Sequence, residues 1–253
     1  MEKIKQVHIS ESVSFFSEKI KKKYNLKNYS NKDEPSIFWG MYRDEDINIL
    51  SKHNSKSVVV WRGSDAMMCK KYINQLKKLK NVKHISISTT IMESLNKFGI
   101  KSELIPIKPA EFHKNKKPKG DKIYFYYGAE TEKSYNFYGG EIVDELKKIL
   151  PYDFIFATKN TYSDIELPKI YEECFIGLRL TNHDGIANTV CDLGLMGRRC
   201  VHNGDIPNCI KYSNIDDIIT AIHTEYNFRY DDNSKIVDDV FNYLDVSDSW
   251  LFV

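Results

Sequence analysis

The sequence predicts an α/β protein built as two Rossmann-like domains facing across a cleft. Three observations carry that reading: short runs that are apolar on both faces, one-sided helical patterns between them, and a polar, basic break near the middle of the chain. At 253 residues there is room for one large domain or for two compact α/β domains of roughly 110 residues each. Hydrophobic residues make up 42% and aromatic residues 13%, the composition of a chain with a real core.

The apolar runs are, in order, Ser36-Ile37-Phe38-Trp39, Val58-Val59-Val60-Trp61, Ile85-Ser86-Ile87, Ile123-Tyr124-Phe125-Tyr126-Tyr127, Phe154-Ile155-Phe156-Ala157 and Cys174-Phe175-Ile176-Gly177-Leu178. Strands apolar on both faces belong to parallel sheets covered by helices. Between them, Ile91, Leu95 and Phe98 recur at helical spacing, as do Ile142, Val143, Leu146, Ile149 and Leu150. Both are one-sided helices. A third spans Asn214 to Tyr226 with Ile215, Ile218, Ile219 and Ile222 inward, and Ser213 with Asp216 reads as a capping box. Such alternation defines the α/β class.

The break is Glu111 to Asp121, EFHKNKKPKGD, which reads as an interdomain linker and hinge. It divides the chain into a domain at 1–110, a linker at 111–121, a second domain at 122–234 and a last helix at 235–253 that crosses back. In that helix Ile236, Val237, Val240, Phe241 and Leu244 form the apolar stripe.

Lys and Arg (37) nearly balance Asp and Glu (35), so no global field favours nucleic acid. The five cysteines are odd in number and lack CxxC spacing, which points to reduced thiols in a cytoplasmic protein. No stretch has the length of a signal peptide or a membrane span. The Lys21-Lys22-Lys23 run and the basic linker leave room for peripheral membrane contact. The seven histidines show no metal-ligand spacing. Asp44-Glu45-Asp46 stands at a helix start, where acids suit the macrodipole, and is not read as a metal motif.

The most informative stretch is Gly177 to Arg199, GLRLTNHDGIANTVCDLGLMGRR. A buried strand ends near Arg179, a polar turn with Gly185 follows, and a helix starts around Asn188, which serves as its cap. Ligands of open parallel sheets bind at the carboxyl ends of strands, and a helix start presents unpaired N–H groups to phosphate. Asp184 lies in the turn and Asp192 eight residues later, pointing away from the packing stripe of Val190, Leu193 and Gly197.

This run resembles the donor site of retaining GT-B glycosyltransferases of the large family-four type, where two acids separated by seven residues bracket a Gly-containing turn at a helix start. The resemblance implies that Asp184 contacts hydroxyls of the transferred sugar and that Asp192 binds the ribose. It assigns the diphosphate to the backbone amides of Gly185, Ile186, Ala187, Asn188 and Thr189. His183 stands beside Asp184 as a turn residue or a substrate contact. Gly128 marks the turn after a strand, and Lys133 and Arg179 are the candidate cations for the diphosphate. Trp61-Arg62-Gly63-Ser64-Asp65, Ser88-Thr89-Thr90 with Gly99, and Ile105-Pro106-Ile107 extend the likeness over about residues 36 to 244.

The chain departs from the family pattern in carrying Asp at both acid positions, in its shorter length, and in lacking a counterpart of the histidine often found in the first domain. Asp65 is the candidate catalytic group there, or else a helix cap. The implied activity is metal-independent transfer of a sugar from a nucleoside diphosphate sugar to a glycan or other hydroxyl acceptor, with retention and no cofactor. The first domain would be the acceptor side and the second would bind the nucleotide sugar. The alternative is a non-catalytic GT-B-like module that binds a nucleotide sugar or a glycan.

Overall fold

The computed structural model describes residues 2–109, 114–181, 184–244 and 247–253. Two compact units divide the chain, the first comprising Met1–Glu111 with Leu244–Val253 and the second Phe112–Tyr243.

The first unit is a six-stranded parallel sheet made of β1 (Gln6–Ile9), β2 (Lys27–Asn28), β3 (Ser36–Trp39), β4 (Ser57–Trp61), β5 (Val82–Ser86) and β6 (Glu103–Leu104), in the order β2-β1-β3-β4-β5-β6. Every residue of β3 and β4 is buried, as double-faced apolar runs require. The strand β1 escapes an apolar pattern because its buried Gln6 is paired throughout: Nε2 donates to Asn31 O, Glu34 O and Ser36 Oγ, and Oε1 accepts from the amides of Ser30 and Asn31. Near the end of the chain Trp250 meets the edge of Tyr24 and packs beside Trp39.

The second unit is a five-stranded parallel sheet of β7 (Lys122–Tyr126), β8 (Phe154–Ala157), β9 (Cys174–Leu178), β10 (Arg199–Val201) and β11 (Cys209–Ile210), ordered β11-β10-β9-β7-β8. Helix Gly140–Ile149 buries Val143 and Leu146 in a core with Ile123, Phe125, Phe175 and Ile176. Both sheets are doubly wound: after the second strand pairs on one side of the first, the third crosses to the other side. The switch point therefore falls between β1 and β3 in one unit and between β7 and β9 in the other, and the carboxyl ends of the strands at a switch point are where open parallel sheets bind ligands.

The segment expected as a hinge is bound down over its described part. Lys114 pairs with Asp238, Lys116 with Asp232 and Ser234, and the buried Lys119 with Glu225. Arg198, wholly buried, donates to the carbonyls of Lys117, Pro118, Met196, Tyr171 and Cys174. Residues 114–121 are thus an integral strap of the second unit, because a buried guanidinium must satisfy its N–H groups and this stretch supplies the oxygens. The last helix, Ser234–Tyr243, also belongs to the second unit, and the residues from Leu244 onward to the first.

One cap assignment changes and one acidic helix start stands as expected. Helix Ile215–Asn227 is capped by Asn214, whose Oδ1 accepts from the Asp217 amide at 3.0 Å, and Ser213 only donates its own amide to Asp217. Helix Asp44–Ser51 starts at the acidic run, with Asp46 Oδ2 accepting from the Arg43 amide and from Ser10 Oγ. Among the described residues no helix is long and apolar enough to cross a membrane. All five cysteines are free, with only Cys209 partly exposed.

Candidate functional site

The loops at the carboxyl ends of β7, β9 and β10 converge at the switch point of the second unit. Arg179 follows β9 directly. Its amide donates to Val201 O, and its own carbonyl accepts from His202 Nδ1 at 2.9 Å, which ties the ends of β9 and β10 together. The guanidinium is 4.9 Å from the centroid of Tyr138 and 5.2 Å from that of Tyr126, so it lies against two aromatic rings. Asp184 Oδ2 takes hydrogen bonds from Arg179 Nε and lies 2.5 Å from Nη2, while Oδ1 accepts from the Gly185 amide at 2.9 Å.

Electrostatics follow from this packing. Burial pushes the Asp184 carboxyl up, but the Arg179 charge and hydrogen bonds overcome it and hold the group below the usual carboxylate range. Burial likewise works against the Arg179 cation, and Asp184 more than restores it. His202 is 1% exposed and burial lowers its pKa, so the ring is neutral near pH 7. With Nδ1 donating to a carbonyl, Nε2 is the acceptor nitrogen, and it has no partner among the described residues.

Beyond Asp184 the chain enters helix Asn188–Leu195 through Gly185, Ile186 and Ala187, all buried. Asn188 is the first helical residue and not the cap; Ala187 holds that position with φ −75° and ψ 110°, and no side chain caps the helix. The first-turn amides of Asn188, Thr189 and Val190 consequently have no partner among the described residues. Asn188 Oδ1 is also buried without a partner among the described residues. Thr189 turns its side chain to Tyr171, whose burial raises its phenol well above the usual value with the charges of Tyr124 and Asp192 adding to it. Asp192 is half-buried on the same helix.

Gly128 closes β7 at φ +76°, where a Cβ would stand 2.6 Å from Tyr138 Cε2 and 2.7 Å from Ser134 Oγ. Glycine is therefore required for this turn. Lys133 sits exposed on helix Glu132–Phe137, with no hydrogen bond or ion pair among the described residues. His183 lies outside the described residues. The structure thus joins Arg179, Asp184 and Gly185 directly, adds Gly128 through Tyr138, and leaves Lys133 apart. It also brings in Tyr126, Tyr138 and His202, for which no motif or spacing stood out: two belong to aromatic-rich stretches and the third directly follows the three-residue strand β10.

Asp65, expected as a catalytic group or else a helix cap, binds main-chain amides around the start of its own helix. It is fully buried, and its carboxylate accepts from the amides of Met41, Arg62, Gly63 and Ala66. Burial raises its pKa against the pull of those four N–H groups. An acid engaged by four amides latches the loops after β3 and β4 and has no oxygen facing a substrate. Among the described residues no group of three His, Cys, Asp or Glu side chains could hold a metal ion.

No family model matches the chain, and no curated protein matches it. Solved structures do. S. aureus TarM, in complex with fondaparinux, alpha-GlcNAc-glycerol and UDP, is similar at a TM-score of 0.60 and 15% identity over 85% of this chain and 53% of that one. The pneumococcal O-GlcNAc transferase GtfA, in complex with UDP and GlcNAc, gives 0.52 and 12% over 91% and 56%. Sucrose-phosphate synthase from Thermosynechococcus elongatus gives 0.58 and 9% over 92% and 76%. The chain spans about half the length of the TarM and GtfA chains. Its fold is that of the GT-B glycosyltransferases, two Rossmann-like domains.

Proposed function

We propose that this chain is a glycosyltransferase that takes a sugar from a nucleoside diphosphate sugar, with retention and without metal, and passes it to a glycan or other hydroxyl acceptor in the cytoplasm. The observation that carries the proposal is the uncapped start of helix Asn188–Leu195 at the switch point of a parallel sheet, with Asp184 before it and Asp192 within it. Open N–H groups at a helix start neutralise a diphosphate, and charge develops there as the donor bond breaks. Carboxylates on either side accept from hydroxyls of the sugar and the ribose. The GT-B fold supports the same reading, since TarM and GtfA were each solved with UDP.

The test is calorimetry with UDP, GDP, ADP, CDP and dTDP in excess EDTA, followed by donor hydrolysis or transfer. Binding that persists in chelator supports the proposal. Binding that vanishes in EDTA and returns with magnesium or manganese would refute its metal independence, and no binding in either condition would refute the donor site.

One observation favours a second reading, a non-catalytic module that binds the same ligands. The Asp65 carboxylate, the one catalytic candidate of the first unit, is consumed by backbone amides. Diphosphate binding without hydrolysis or transfer would select this reading.

A further inference from the structure

We propose that Arg179 is the positioning residue of Asp184, fixing it to accept a single hydroxyl of the transferred sugar, and that Tyr126 and Tyr138 hold Arg179 to that task. The inference rests on the donor-site reading above. It departs from the expectation that Arg179 is a cation for the diphosphate.

A carboxylate offers about four lone-pair positions. In Asp184, Oδ2 faces two guanidinium nitrogens, Nε and Nη2, both at 2.5 Å, and Oδ1 takes the Gly185 amide. Among the described residues one acceptor position is left, on Oδ1. The acid is thereby limited to one hydroxyl, and its direction is set by a fixed cation on one side and a fixed amide on the other.

Arg179 has little freedom to do anything else. It is 8% exposed, its guanidinium lies against Tyr126 and Tyr138, and its carbonyl is held by His202. Turning toward a diphosphate would strip Asp184 of its counter-charge in a site only 20% exposed at that side chain. An unpaired charge left there is costly. The diphosphate then falls to the amides of the helix start, which have no competing partner among the described residues.

The experiment uses the full chain, the tightest-binding nucleoside diphosphate of the five named above, and its glucose and N-acetylglucosamine esters. Arg179→Lys keeps the charge but loses the fork; Tyr138→Phe keeps the ring, and Tyr138→Ala removes it. We expect Arg179→Lys and Tyr138→Ala to hold diphosphate affinity within about twofold while kcat for the sugar ester falls about tenfold or more, the scale of one charge-assisted hydrogen bond. Tyr138→Phe should match the wild type. A 13C NMR titration reads the clamp without turnover: the Asp184 carboxyl should titrate below its usual range in the wild type and move upward in Arg179→Lys.

A fall in diphosphate affinity of about tenfold in Arg179→Lys, with the Asp184 titration unmoved, would overturn the inference while leaving the donor site standing. Wild-type protein that binds none of the five diphosphates would instead remove the donor-site reading itself, and the inference with it.

Discussion

The ammonium of Lys119 lies 2.8 Å from Glu225 Oε2, with side-chain exposures of 4% and 9%. The pair joins the strap at 114–121 to helix Ile215–Asn227, and Arg199 Nε stands 3.3 Å from the other carboxylate oxygen. Removing one member of a buried pair strands the other charge, at a cost of about 3–5 kcal/mol. Because Arg199 remains near Glu225, Lys119→Ala should sit at the low end, destabilising the second unit by about 3 kcal/mol in urea unfolding. A change below about 0.5 kcal/mol, the range of ordinary surface substitutions, would show that the strap is not anchored by this pair.

The strap also explains a glycine. A Cβ built on Gly120 would come within 2.0 Å of the Glu173 carbonyl oxygen and 2.2 Å of its carbon. Both are backbone atoms beside β9, so neither can rotate aside. Gly120→Ala should destabilise by about 1–3 kcal/mol or more through overpacking, seen as a lower unfolding midpoint with an unchanged denaturant slope.

Much of the fold was legible because its central strands are buried on both faces. Ser36–Trp39, Phe154–Ala157 and Cys174–Leu178 fall where the apolar runs lie. What escaped has a physical cause in each case. The strand β1 hides behind a buried glutamine satisfied by main-chain groups distant in sequence, and β10 and β11 are only three and two residues long. The strap looked like a linker because its lysines read as solvated, whereas their partners, Asp232, Asp238 and Glu225, are more than 100 residues away. At the candidate site the placing of Asp184 between a strand and helix Asn188–Leu195 followed from the strand–turn–helix pattern, whereas the open helix start did not, because Asn188 has the chemistry of a cap but stands one residue inside the helix. The Arg179 clamp did not, because it depends on Tyr126 and Tyr138 meeting across a fold that spacing does not reveal.

Asp65 supplies a prediction that separates latch from catalyst. In Asp65→Asn one oxygen is replaced by a donor amide that faces N–H groups, so at least one of the four amide bonds is lost and a repulsive contact appears. Hydrogen bonds to charged groups are each worth about 1.5–3 kcal/mol, so the first unit should lose about that much stability. Diphosphate binding by the second unit should not change. Unaltered stability with abolished turnover would restore a catalytic role to Asp65.

His84 sets a pH dependence in the first unit. Trp61 Nε1 donates to His84 Nδ1 at 3.2 Å, so the ring must be neutral, and burial lowers its pKa to about 4. The unfolded value is about 6.5. A folded pKa below the unfolded one means the unfolded state binds the proton first as pH falls, so the stabilisation is complete above about pH 6.5 and is lost progressively toward about pH 4. Urea unfolding at pH 7, 6 and 5 should show wild-type stability dropping with pH, and His84→Gln should show a shallower slope. Parallel slopes for the two proteins would remove His84 as the cause.

Asp184 and Asp192 should fail in different ways, because the proposal sets them against opposite ends of the donor. Asp192→Ala would lose contacts to a ribose present in the donor and in the released nucleoside diphosphate alike, so both ligands should weaken together. The loss of a hydrogen bond to a charged group amounts to about one to two powers of ten in affinity. For Asp184 the structure dictates the variant: alanine would leave the buried Arg179 guanidinium with no acceptor, whereas Asp184→Asn keeps the volume and one oxygen that can still accept from Arg179, at the loss of the Gly185 amide bond. Asp184→Asn should therefore leave diphosphate affinity near wild type, while sugar transfer or donor hydrolysis falls by about tenfold or more as a charged acceptor becomes a neutral one. Thermal unfolding establishes first that both variants are folded, and calorimetry and initial rates then give the two affinities and turnover. If both folded variants bind and turn over like the wild type, the donor does not occupy this helix start and the proposed function loses its principal support.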